Sequence, residues 1–181
     1  MTARYDLATT IHTAVRRLLF EQALLFARCD FRDEAACRGA CAEQEDEVIF
    51  PGLAELDAAL AHEATRQHLG LEQYMRELER AAVNLRLATS AERLEFGKAL
   101  AQRFNQFVAA QLAHLTFEEV EMQRVFWEHK TDDELRVMHT AIRSRLPPAR
   151  SRVWLELMLE VANAAELSQM RPPEPPRPQA A

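Results

Sequence analysis

The apolar residues of this chain recur every three or four positions through four long runs, and that spacing is the period of an amphipathic helix. A first helix is predicted from about Asp6 to Arg28, with Ala8, His12, Val15, Leu19, Ala23 and Phe26 on its inner face. After Cys29 to Asp33 a second carries Cys37, Cys41, Glu45, Val48 and Ile49, and Pro51-Gly52 kinks or ends it. A third, from about Leu60, presents Ala64, His68, Leu71, Met75, Leu78, Ala82 and Leu85. Thr89 and Glu92 then offer a capping box for a fourth, which lines up Phe104, Phe107, Gln111, His114, Glu118 and Val125. Thr131 with Glu134 caps a shorter fifth ending at Pro147-Pro148, and Ser151 to Met170 reads as one or two further segments broken near Asn163.

Only four glycines in 181 residues leave little material for strand turns or phosphate-cradling loops, so Rossmann and P-loop folds fall away. The expected class is all-α: an antiparallel up-down-up-down four-helix bundle with additional short C-terminal helices. Residues 1–130 form the bundle, 131–170 the helices packed on it, and 171–181 a disordered tail that holds five of the eight prolines. A formal net charge of -6 supplies no basic surplus to neutralise phosphates, so nucleic acid is not an expected partner. No apolar run approaches the roughly 20 residues that span a bilayer, and Met1 to Leu7 lacks the basic-then-apolar order of a signal peptide. The expected setting is the cytoplasm, away from membranes, with the three cysteines as reduced thiols.

The informative residues are the polar ones inside the apolar stripes. On consecutive antiparallel helices, two residues share a height when the midpoint of their numbers falls at the connecting turn. The midpoint of His12 and Glu45 falls in the Cys29 to Asp33 break, that of Glu45 and His68 after Pro51, and that of His68 and His114 beside Thr89. His12, Glu45, His68, His114 and Glu118 therefore belong to one interior layer. Three imidazoles and two carboxylates are costly to bury unless they pair with one another or ligate a cation, and this donor set suits iron, manganese or zinc. Cys41 precedes Glu45, and His114 precedes Glu118, at the i, i+4 spacing that shares a helical face. Glu119 takes the place of Glu118 if a π-turn shifts the facing residue by one. His62 lies off the His68 face, and His129 and His139 are expected to face solvent.

This constellation resembles the hemerythrin-like (HHE cation-binding) family over roughly residues 6–128, on His12, on Glu45 in Glu45-Asp46-Glu47-Val48-Ile49-Phe50-Pro51, on His68, and on His114-Leu-Thr-Phe-Glu118-Glu119. The resemblance implies a four-helix bundle around a non-haem, usually di-iron, centre, with Glu45 and Glu118 as bridges and His12, His68 and His114 as terminal ligands. Cys41 stands where the family's second helix has a histidine, and Leu71 or Glu72 stands near its missing third-helix histidine. The ligand set implied here is His12, Cys41, Glu45, His68, Glu72, His114 and Glu118, although Cys41 also reads as a small buried apolar side chain. The nuclearity stays open between two irons, one and none.

The implied function is binding or sensing of oxygen, nitric oxide or peroxide, or iron handling under redox stress, by a metal- and ligand-binding protein rather than an enzyme. It would act as a monomer or homodimer. No Glu-x-x-His pairs of the ferritin type occur. Two other functions remain: a metal-free helical interaction module using Trp127, Trp154, Leu155, Met158 and Leu159, and a thiol switch at Cys37 and Cys41.

Overall fold

The computed structural model describes residues 4–32, 57–145 and 148–170. Its elements are α1 (Thr9–Arg28), α2 (Ala58–Leu87), α3 (Arg93–Phe117), a π-helical segment (Glu118–Met122), α4 (Gln123–His129), α5 (Asp132–Arg145), α6 (Pro148–Val161) and α7 (Ala164–Met170). Among the described residues there is no strand, as the composition requires. The predicted second helix with Cys37, Cys41, Glu45, Val48 and Ile49 lies outside the described residues, as does the proline-rich tail.

Helices start where a side chain can accept from their orphan backbone N–H groups. Asp6 accepts from the backbone of Ala8 and Thr9 at 2.9 and 2.8 Å, so α1 begins just after the residue where the periodicity started it. Asp57 accepts from Leu60 N at 2.9 Å and starts α2. Thr89 and Thr131 each donate backbone N–H to a glutamate three residues on, Glu92 at 3.0 Å and Glu134 at 2.7 Å, as the capping-box spacing predicts. The expected break near Asn163 has the same chemistry: Asn163 Oδ1 accepts from Ala165 and Glu166 and opens α7. Pro148 is the first residue of α6, the helical position that proline tolerates best.

The helices pack α2 against α3 and α1 against both α3 and α6. Going up α2 from His68 to Glu77, the contacts go down α3 from His114 to Arg103, so the two are antiparallel. His12 meets Glu118 while Phe26 meets Phe104, so α1 is antiparallel to α3 as well. Two apolar clusters result. One gathers Leu19, Phe26, Phe31, Ala81, Leu85, Leu100, Phe104 and Val108; the other gathers Tyr5, Ala61, Ala64, Met122, Val125, Phe126 and Leu135. Along α1, α2 and the run from α3 into the π segment, the polar layer of His12, His68, His114 and Glu118 falls between them. Trp154, Leu155 and Met158 of α6 are half-buried, whereas Leu159 is exposed. His139 departs from expectation: it is half-buried and hydrogen-bonded through Nδ1 to the Tyr5 hydroxyl, because the segment before α1 lies across α5. His62 and His129 are exposed as read from sequence.

Two consequences are measurable. A Cβ on Gly97 would stand 2.0 Å from Cγ and 2.4 Å from Cβ of buried Phe31, so Gly97→Ala should destabilise by about 1–3 kcal/mol despite the better helix propensity of alanine. A raised urea midpoint would show that Phe31 moves aside without loss. At α5, the backbone and side-chain hydrogen bonds from Thr131 hold the Glu134 carboxyl below its ordinary value. A depressed folded value stabilises above the unfolded value and is lost as pH falls through the folded one. Thr131→Ala should therefore lower the melting temperature by about 2–4 °C at neutral pH, with the difference shrinking on acidification.

Candidate metal centre

Three helices and the π segment each send polar side chains into the layer between the two apolar clusters. His12 and Arg16 come from α1, one turn apart on one face. Gln67 and His68 come from α2, and His114 from the last turn of α3. The π segment supplies Glu118 and Glu119. Its wider turn is carried by the hydrogen bond from Gln123 N to the Glu118 carbonyl, five residues back. Two adjacent residues of a regular helix diverge by about 100°, yet here both carboxylates reach the same imidazole. His12 Nε2 lies 3.1 Å from Glu118 Oε2 and His12 Nδ1 lies 3.1 Å from Glu119 Oε1.

Glu118 divides its two oxygens. Oε2 faces His12, whereas Oε1 faces His114 Nε2 at 3.4 Å and His68 Nε2 at 3.9 Å. The two Nε2 atoms of His68 and His114 are 2.8 Å apart, with the rings edge to face. His12, His114 and Glu118 keep only 6%, 4% and 8% of their surface exposed, which places an ionisable cluster in the interior. Burial pushes the Glu118 carboxyl up, but the hydrogen bonds from His114, His12 and His68 outweigh it and hold it well below the usual carboxylate range. Glu119 is anchored separately. Arg16 grips its two oxygens at 2.7 and 2.8 Å, a bidentate pair that balances its charge before His12 is counted.

His68, His114 and Glu118 can hold a metal ion, since one donor atom from each lies within 4.8 Å of the others. Two nitrogens and an oxygen suit a borderline transition metal, and three protein donors leave coordination positions open. The residues present therefore fit a cation of this kind.

Of the sequence-predicted ligands, the structure brings His12, His68, His114 and Glu118 together. Glu72 is not among them: Leu71 takes the inward position of that turn, and Glu72 points outward to Arg76 at 3.1 Å. Cys41 and Glu45 lie outside the described residues. Sequence reasoning admitted Glu119 only as a replacement for Glu118 through a π-turn; the π segment is there, but Glu118 keeps the place facing the histidine pair and Glu119 meets His12 and Arg16. It missed Arg16 and Gln67. The available signals were Arg16 at i+4 from His12, and Gln67 at i+4 from Glu63 beside the His68 face. No protein-family model, curated protein or solved structure matches this chain.

The grip of Arg16 on Glu119 should register as a coupling of about 1–3 kcal/mol in an Arg16→Ala, Glu119→Ala double-mutant cycle read by urea unfolding. A coupling near zero would mean that water satisfies both groups as well as they satisfy each other.

Proposed function

We propose that this chain is a hemerythrin-like non-haem iron protein whose centre is organised by Glu118 as a bridging carboxylate. The observation that carries the reading is the division of its oxygens, Oε1 toward the His68 and His114 pair and Oε2 toward His12. A carboxylate so placed would serve a cation beside the His68 and His114 pair through one oxygen and leave the other for a second cation beside His12. The helix directions agree with this reading, since α1 and α2 both run antiparallel to α3, as the first and third helices of an up-down-up-down bundle run against the fourth. In this reading Cys41 and Glu45 are the further ligands that the sequence resemblance implies.

Iron in such a site, with positions left open, supplies reversible binding of a small ligand such as oxygen or nitric oxide. The chain's own residues do the rest. His68, His114 and Glu118 would hold one cation, His12 would add a donor on the other side of Glu118, and apolar clusters lie above and below this layer. Glu119 orients His12 from its Nδ1 side, while Arg16 fixes Glu119. No helix among the described residues is long and apolar enough to cross a membrane. Of the residues of the metal-free interaction module, Trp154, Leu155 and Met158 are half-buried, whereas Trp127 and Leu159 are exposed.

Anaerobic reconstitution with ferrous iron, followed by elemental analysis and optical spectra before and after air, tests the proposal. About two irons per chain are expected, with near-ultraviolet charge-transfer bands on oxidation. Glu118→Ala should abolish both irons, while His12→Ala should retain one. A folded Glu118→Ala protein that holds as much iron as wild type would overturn the assignment.

A further inference from the structure

Amide oxygen and nitrogen are distinguished by what surrounds them, and at Gln67 the surroundings leave one choice. Its Nε2 donates to Glu63 Oε1 at 2.7 Å. Glu63 is gripped by Arg66, whose Nε donates to Oε2 at 2.7 Å, and the Arg66 and Gln67 hydrogen bonds hold its carboxyl down at about 2. Ionised, it can only accept. The amide oxygen of Gln67 therefore faces His114 Nδ1, 3.0 Å away, and an oxygen there can only accept in turn. Nδ1 of His114 therefore carries a proton and donates it to Gln67, and Nε2 is the nitrogen turned toward His68 and Glu118.

We propose that Gln67 is a positioning residue of the centre: it fixes His114 as the Nδ1–H tautomer and so presents the Nε2 lone pair to the cation. In the metal-free protein this nitrogen lies 2.8 Å from His68 Nε2 and 3.4 Å from Glu118 Oε1. The relay Arg66–Glu63–Gln67–His114 does for His114 what Arg16–Glu119 does for His12. Both tie the outer nitrogen of an inward-facing imidazole to a carboxylate anchored by arginine, and such outer contacts set ligand orientation and basicity. The consequence for metal affinity rests on the iron reading; the tautomer does not.

Gln67 and His114 also line a cleft of about 300 Å³ between α2 and α3, with Arg66, Gly70 and Tyr74 around it. Removing the amide by truncation would let water from this cleft accept the Nδ1 proton instead. Gln67→Leu keeps the volume and bars that water, so it is the informative variant, and Gln67→Glu keeps an acceptor oxygen.

Long-range ¹H–¹⁵N spectra of the metal-free protein, with His114 assigned by its loss in His114→Ala, read the tautomer, and Co²⁺ titration followed optically reads the affinity. The wild type should show Nδ1–H at His114. Gln67→Leu should shift the population to Nε2–H and weaken Co²⁺ binding roughly 10- to 100-fold, and Gln67→Glu should retain both properties. An Nε2–H tautomer in the wild type overturns the proposal without any variant. An unchanged tautomer in Gln67→Leu with Co²⁺ bound as tightly as in wild type overturns it while leaving the metal centre standing. A tautomer that responds to Gln67 in a protein binding neither Co²⁺ nor Fe²⁺ upholds the positioning and removes the metal reading instead.

Discussion

One carboxylate governs the interior of this protein. Glu118 is buried between two apolar clusters, and its ionised form survives there because imidazoles approach it from three sides. An unpaired carboxylate in that position would be neutralised or would unfold its surroundings. The demand propagates outward. His12, His68 and His114 must come to a common height, so α1, α2 and α3 are held in register by chemistry as well as by packing. The apolar clusters on either side tolerate many substitutions of similar volume; the polar layer between them does not, since each member satisfies another.

The π segment is the local backbone feature that makes the layer work. Within this widened turn Glu118 and Glu119 act on opposite nitrogens of a single imidazole. It also separates their roles. Glu118 faces the interior and the histidine pair, while Glu119 is neutralised at the edge by Arg16 and serves to orient His12. The same separation recurs on the other flank, where Gln67 takes the outer nitrogen of His114 and leaves its inner nitrogen toward the cluster. The inner nitrogens of His12 and His114 thus face Glu118, and their outer nitrogens meet a fixed scaffold.

What could be read from the sequence were properties set within one helical turn. Apolar spacing located the helices, Thr89 with Glu92 and Thr131 with Glu134 located starts, and Asn163 located a break. Midpoint arithmetic extended this to the common height of His12, His68 and His114, because rise per residue is the same in every helix. Glu72 entered only through the family resemblance, as the donor near a missing third-helix histidine, and packing gives the inward place of that turn to Leu71 while Glu72 faces Arg76. His139 misled because the segment that partly covers it comes from the opposite end of the chain.

The sequence by itself determined an all-helical chain with histidines and a glutamate turned inward at one level, since helix period and capping depend on residues at most four apart. Tertiary structure alone decided which oxygen of Glu118 meets which imidazole, that Arg16 belongs to Glu119, and that Gln67 belongs to His114. Those choices depend on lateral neighbours far apart in the chain. Local spacing carries no record of which helix stands beside which, nor of the pitch of the turn between them.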